Sequence, residues 1–588
     1  MKTSFFKIFF ASISALVIFT MIMILLGTWM IGSALQPIKP SVGTKGVLVI
    51  DLSKEYKEQS QQNSVSGLLG DASNDVPGLY DVVRMIHYAK SDSSVKGIYI
   101  KATNNANGFA ANEELRKAIL DFKTSKKFVI AYGEIMDEKS YYVATAADKV
   151  YCNPSGGLEW DGFASTLFFV KNALDKLEIQ PEIFYAGKFK SATEPFRATQ
   201  MTDPNRLQTT VWLGDLYAHL LQTVGTSRNI DTATLHQMAN NGTIQTASDA
   251  LNYKLIDGLK YDDEVNTEIL KLLYKNETEN INYISLGKYA EAVNFKKDNG
   301  NDKIAIIYAE GDIVGGKGDD GEIGSDKFAD LIRKARLDDD VKAIVFRVNS
   351  PGGSSLASDV IWRELTLAKK TKPVIVSMGD VAASGGYYIS CNADSIFSDE
   401  TTITGSIGVF SMMANMQNFF KNKLGITFDG VKTATYADMG TSTRPLTETE
   451  KHFIQSSVDT IYYTFKTRVA EGRKKNIAFV DSIAQGRVWT GMRSNTIGLT
   501  DRTGTLQDAV NCAARMAKLS GYSTTEYPEK KSLLEQLLSS SLSSSINAQA
   551  EIKNQLGESQ YNLFMQMKKI QQMVGTPQSR LPFDFDIR

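Results

Sequence analysis

Hydrophobic positions along this chain fall into three regimes. An uncharged, mostly apolar run covers residues 8–35, behind Lys2 and Lys7. From about residue 46 to 525, short apolar runs rich in β-branched residues alternate with stretches of helical period. In the later part, 303–308, 342–348 and 372–377 read as strands, residues 355–370 as an amphipathic helix, and a further helix begins near Gly385. Strand–helix–strand order of this kind predicts parallel β-α-β units with right-handed crossovers, hence an α/β fold. Ligands in such folds sit at the carboxyl ends of strands, which directs attention to the loops after 348 and 377. Beyond 525 the pattern gives way to a serine-rich stretch, 539–545, and to residues 549–573 of helical period, predicting a C-terminal tail (526–588) that is flexible and partly helical.

The N-terminal run changes the picture first. A membrane-spanning helix needs ~20 apolar residues and a secretory signal core only ~7–15. The length predicts a single-pass anchor within residues 1–35, with Lys2 and Lys7 held on the cytoplasmic side and the remainder outside the cytoplasm. A signal peptide cleaved after 32–34 is the competing reading.

The middle of the chain repeats itself. Val95-Lys-Gly-Ile-Tyr-Ile lies 246 positions before Val341-Lys-Ala-Ile-Val-Phe (341 − 95), and Tyr141-Tyr142 and Ala147-Asp148 match Tyr387-Tyr388 and Ala393-Asp394 at the same offset. Two copies of one α/β domain are expected, 46–290 and 302–525, joined by a polar linker at 291–301. At 588 residues the chain is also too long for one core.

Composition mainly excludes. Lys and Arg (65) balance Asp and Glu (66), so no basic surplus points to nucleic acid. Three cysteines, Cys152, Cys391 and Cys512, form neither a disulfide framework nor a zinc-ligand spacing and are expected as small buried hydrophobes. The four histidines lie in no H-E-x-x-H pattern, which disfavours a metalloprotease. No metal and no cofactor are expected.

The candidate chemistry lies in the second repeat. Asn349-Ser-Pro-Gly-Gly353 follows a strand and precedes a helix. Adjacent glycines let backbone N–H groups turn toward a ligand, and a helix N-terminus adds partial positive charge, a combination suited to an oxyanion. Gly379-Asp-Val-Ala-Ala-Ser-Gly-Gly-Tyr387 follows the next strand and sets Ser384 at a sharp strand-to-helix turn, as nucleophile elbows do, with Gly385 N–H as a further donor. In the first repeat the equivalent of Ser384 is Glu138, and the glycines become Lys139-Ser140 and Ala106-Asn107. A feature that the fold itself required would stand in both copies, so the contrast points to function. A serine hydroxyl needs a base. The first repeat offers Lys190, whose counterpart in the second falls near Tyr436 or Ala437, neither of them a base, so the repeats are complementary.

Together, Asn349-Ser-Pro-Gly-Gly353, Ala383-Ser-Gly-Gly-Tyr387, Thr404-Gly-Ser-Ile-Gly408 and Phe189-Lys-Ser-Ala-Thr-Glu-Pro-Phe196 resemble the long, tandem-repeat form of the signal peptide peptidase A family, over nearly the whole chain. The resemblance implies duplicated ClpP/crotonase-like domains and a bowl-shaped homo-tetramer. It implies Ser384 as nucleophile, Lys190 as general base and Ser406 as the hydroxyl that orients the lysine, with oxyanion donors from Gly385 and the Gly352-Gly353 turn. It further implies apolar signal peptides as substrates, cut at the bacterial inner membrane on the periplasmic side. A lysine base must be brought from ~10.4 toward ~7–8, which an apolar inter-domain pocket containing Phe189, Pro195 and Phe196 would do. Two rivals stay open: a crotonase-type acyl-CoA enzyme with the same oxyanion geometry, and a membrane-tethered peptide-binding scaffold without catalysis.

Overall fold

The computed structural model describes residues 5–34, 40–60, 76–274, 279–296, 300–529, 555, 557, 560 and 573–581. Each repeat builds a largely parallel sheet from its β-branched runs. In the first, six strands lie in the order Gly258–Leu259, Lys149–Leu158, Phe128–Met136, Val95–Lys101, Gly46–Asp51, Asn282–Ser285, all parallel. In the second, the order is Val488–Thr490, Ile403–Gly405, Val374–Ala383, Val341–Ser350, Lys303–Glu310, Ser523–Tyr527, parallel except for Val488–Thr490, which runs antiparallel to Ile403–Gly405; Ser395–Ser398 also pairs with Val374–Ala383, and Arg502–Thr503 with Ser395–Ser398. Strand Ser523–Tyr527 runs two residues past the expected end of the repeat.

The matched residues do matching work. Asp148 accepts from Val129 N–H at 2.8 Å and Asp394 from Val374 N–H at 2.9 Å, each tying the start of a strand to the following loop. Tyr141 donates to the Leu255 carbonyl and Tyr387 to the Leu499 carbonyl at 2.8 Å. The largest apolar clusters are one per repeat, with Leu48, Ile98, Val129 and Tyr141 in the first and Ile307, Phe346, Val376 and Tyr387 in the second. All three cysteines are buried.

The repeats interlock more than two tandem units need to. A third sheet is assembled from both of them and from the tail, in the order Glu322–Gly324, Asp312–Val314, Gly352–Ser354, Gln578–Arg580, Val409–Asn415, Gln180–Ala186. Gln180–Ala186 of the first repeat pairs antiparallel with Val409–Asn415 of the second over seven residue pairs. A buried ion cluster adds to this. Arg347, 1% exposed, reaches Glu58 and Glu114 of the first repeat at 2.8 Å each. Asp380 accepts from the N–H groups of Ala110 and Ala111 at 2.8 and 3.1 Å, at the N-terminus of helix Phe109–Lys123.

At the N-terminus, Phe5–Ala34 is a helix with Lys7 as its one charged residue. Among the described residues no helix is long and apolar enough to cross a membrane. In the tail, the stretch expected to be helical, 549–573, and the serine-rich 539–545 lie almost wholly outside the described residues. Residues 578–580, by contrast, form a strand. Their own pattern carries no strand period; the unpaired edges of Gly352–Ser354 and Val409–Asn415 impose it.

Candidate active site

The strand Val374–Ala383 delivers Ser384 to the start of helix Gly385–Ser390. Ser384 takes φ 54°, ψ −109°, a sparsely populated conformation that persists only where the surroundings over-determine it. Its N–H donates to the Gly405 carbonyl and its carbonyl accepts from Tyr388 N–H, both at 2.8 Å. The glycines that follow are needed for close approach. A β-carbon on Gly385 would stand 2.8 Å from Ser358 Oγ, and one on Gly386 2.7 Å from the Ser350 carbonyl.

Lys190 arrives from the other repeat, in the loop after strand Gln180–Ala186. Its Nζ lies 2.8 Å from Ser384 Oγ, 3.2 Å from Ser406 Oγ and 3.5 Å from the Ser406 carbonyl. Lysine and serine are both buried, 1% and 0% exposed. Among the described residues the partners of this ammonium are hydroxyls and a carbonyl, with no carboxylate, so burial acts unopposed and holds its pKa well below the usual lysine range. Phe189, Pro195 and Phe196 are buried on either side of it in sequence. Ser406 follows strand Ile403–Gly405 in a left-handed conformation (φ 51°), with its N–H donating to the Arg487 carbonyl at 2.7 Å. The structure therefore brings Ser384, Lys190 and Ser406 together within one chain.

The three glycines occupy different stations. Gly352 has φ 101°, and a β-carbon there would stand 2.7 Å from Gly385 N, so the two turns abut. Gly352 N–H donates to Ser350 Oγ at 3.1 Å. Gly353 lies opposite Ser579 of the tail strand.

Two supporting residues were not legible beforehand. Gln208 donates from Nε2 to the Phe189 carbonyl and to Ser191 Oγ, both at 3.0 Å, while its Oε1 accepts from Val488 N–H at 3.2 Å. It thus ties the lysine loop to the second repeat. Gly486, φ 74°, lets the loop 485–487 press on Lys190. In the sequence one is a glutamine within a helix and the other a glycine in a turn, and only the packing of the two repeats gives either a role.

Comparison with known proteins identifies the family. The family model described as Peptidase family S49 matches twice, over residues 121–276 and 366–520. Protease 4 of Salmonella typhi is 36% identical over 512 residues, covering 84% of this chain and 82% of the relative. The chloroplastic serine protease SPPA of Arabidopsis thaliana is 32% identical over 73% of this chain and 64% of its own. Among solved structures, a ClpP1 mutant from Listeria monocytogenes overlays 35% of this chain and 94% of its own at 12% identity, with a TM-score of 0.24, too low to bear on the site. The tandem match and the extent of these identities establish that the chain is a serine protease and belongs to peptidase family S49.

Proposed function

We propose that this protein is a membrane-anchored endopeptidase that works through a Ser384/Lys190 dyad and degrades cleaved signal peptides. The observation that carries the reading is the 2.8 Å approach of a buried, carboxylate-free lysine to a serine held at a strained turn. Neutral Lys190 Nζ takes the proton as Ser384 Oγ bonds to the scissile carbonyl carbon. The developing oxyanion is met by Gly385 N–H and the Gly352 turn. The C–N bond then breaks, the lysine passes its proton to the leaving nitrogen, and water hydrolyses the acyl-enzyme by the same relay. Ser406 accepts from Nζ and aims its lone pair at Ser384.

The location and substrate parts rest on sequence. Helix Phe5–Ala34 carries one charge in 30 residues and would hold the catalytic part on the periplasmic side of the inner membrane, beside apolar signal peptides. Tetrameric assembly belongs to the same reading and is supported by the family resemblance alone. The test is trapping. A fluorophosphonate should add to Ser384 of the wild-type chain, as located by peptide mass mapping, and leave Ser384→Ala unlabelled. Labelling at another serine would refute the assignment.

A further inference from the structure

The helix that follows the lysine loop, Asp203–Arg228, packs against the second repeat. Gln208, Trp212, Asp215, Leu216 and His219 recur along it at spacings of three and four, so they share one face. The middle of that face is apolar: Trp212 and Leu216 lie in a cluster with Ala383, Ile403 and Val488. Its polar members make directed contacts. Gln208 Oε1 accepts from Val488 N–H at 3.2 Å. Asp215 accepts from Thr490 Oγ1 at 2.9 Å and takes Arg493 in a fork, 2.5 Å from Nε and 2.8 Å from Nη2. His219 Nδ1 stands 3.3 Å from Glu400 Oε2. Gln208 and Asp215 therefore hold the two ends of strand Val488–Thr490. That strand pairs antiparallel with Ile403–Gly405, Thr490 opposite Ile403 and Val488 opposite Gly405. Ser406 comes next, and the Arg487 carbonyl, immediately before the strand, accepts its N–H at 2.7 Å. Gly405 and Ser406 both have positive φ, 77° and 51°. A serine in that region stays in place only where its neighbours over-determine it, and the neighbour here is the start of strand Val488–Thr490.

We propose that Asp215 is a positioning residue for the dyad: it sets strand Val488–Thr490, and through it Ser406, in register with the loop that carries Lys190. The proposal rests on the Ser384/Lys190 reading and extends it to a residue outside the reacting groups. One helix holds both halves of the relation. Its Gln208 donates from Nε2 to the Phe189 carbonyl and to Ser191 Oγ, on either side of Lys190 in sequence. Its Asp215 fixes the strand beside Ser406. The apolar contact of Trp212 and Leu216 is non-directional and does not by itself set how far the helix lies along the strand. A carboxylate held by a guanidinium fork and a hydroxyl is directional, and sets that coordinate. Thr490 is fully buried, so its hydroxyl needs the acceptor that Asp215 supplies. Arg493 is half-exposed, and an ion pair at such a site adds little to stability. Position, more than stability, is what Asp215 contributes.

The test measures kcat per active site on the full-length chain, with a peptide ester as substrate and sites counted by fluorophosphonate titration. Asp215→Ala should titrate to the wild-type number of sites. Its kcat should fall roughly tenfold with KM little changed, because what it loosens is the hydrogen bond between Ser406 and the lysine. Asp215→Asn keeps an acceptor for Thr490 and should recover most of that loss. Added to Ser406→Ala, Asp215→Ala should lower kcat little further, as expected of two residues that act through one contact. Wild-type kcat at each titrated site of Asp215→Ala, with only the number of sites reduced, would show a merely structural role and overturn the proposal. Losses that multiply in the double variant would overturn it as well. If Asp215→Ala does not fold, Thr490→Val, which replaces the hydroxyl by a methyl, decides: a lowered kcat supports the proposal and wild-type turnover overturns it. Failure of the dyad itself shows separately, as activity surviving in Ser384→Ala.

Discussion

Gly486 lies so close to Lys190 that a β-carbon on the glycine would stand 2.7 Å from the lysine's Cβ and 2.7 Å from its backbone nitrogen. The glycine also has φ 74°, which an L side chain adopts at a cost. Gly486→Ala should therefore push the lysine away from Ser384 while leaving both cores intact. Displacement of a catalytic group by about 1 Å lowers turnover by about 10²-fold. The expected result is a fall of that size in kcat with KM little changed, checked by steady-state hydrolysis beside a normal circular dichroism spectrum.

Ser406 Oγ, 3.2 Å from Nζ, is the acceptor that turns the lysine toward Ser384. Ser406→Ala leaves Nζ the Ser406 carbonyl at 3.5 Å. Loss of one such hydrogen bond, about 1–1.5 kcal/mol, predicts a drop in kcat of roughly tenfold. Steady-state kinetics on a peptide ester check this, and partial recovery in Ser406→Thr, which keeps the hydroxyl, would separate hydrogen bonding from volume.

The lysine's lowered pKa has opposite consequences for activity and stability. Activity needs the neutral amine, so it should rise with pH through a value well below the ordinary ~10.4 of lysine and then level off. For stability, the unfolded chain holds the proton over a pH range in which the folded chain has released it. The unfolded state then binds more protons, and the contribution of this group to stability increases with pH. Lys190→Met, inactive but uncharged, should be more stable than wild type at neutral pH, with the difference shrinking toward pH ~10. Denaturant midpoints measured across that range check the sign.

Glu138, the first-repeat counterpart of Ser384, is the converse case. Burial pushes its carboxyl up to about 7, although its Oε1 accepts from Gly162 N–H at 2.8 Å and Asp161 N–H at 3.0 Å. Between 4.5 and about 7 the folded chain holds a proton that the unfolded chain has lost, so stability from this group falls as pH rises through that window. Glu138→Gln keeps an acceptor for both N–H groups and removes the charge. It should raise the melting temperature above pH ~8 and change it little near the unfolded value of ~4.5, as differential scanning calorimetry would show.

The ion cluster at Arg347 predicts how the repeats hold together. Removing one carboxylate leaves a buried guanidinium partly unpaired, which typically costs roughly 3–5 kcal/mol. Glu114→Ala should therefore lower the denaturant midpoint sharply. Because Asp380, on the strand leading to Ser384, caps the same helix that carries Glu114, activity should be lost at lower denaturant than the bulk helical signal.

The sheet-forming runs were legible because their β-branched periodicity is a local property, and the constant offset between Val95 and Val341 marked the duplication. Ser384 was legible because its flanking glycines break the symmetry between the repeats. Lys190 stood out only through its neighbours in a family pattern, since a buried lysine looks in sequence like any solvated one. What sequence could not carry is whatever depends on long-range pairing: strand Gln180–Ala186 crossing into the second repeat, Gln208 bridging to Val488, Gly486 against the lysine, and residues 578–580 held as a strand by two open edges.

The most direct test of the dyad is hydrolysis of a fluorogenic apolar peptide ester by wild type, Ser384→Ala, Lys190→Ala and an equimolar mixture of the two variants. With both residues supplied by one chain at 2.8 Å, each variant should be inactive and the mixture should stay inactive. Full activity in Lys190→Ala would contradict lysine as the base, and recovery in the mixture would contradict a site built within a single chain.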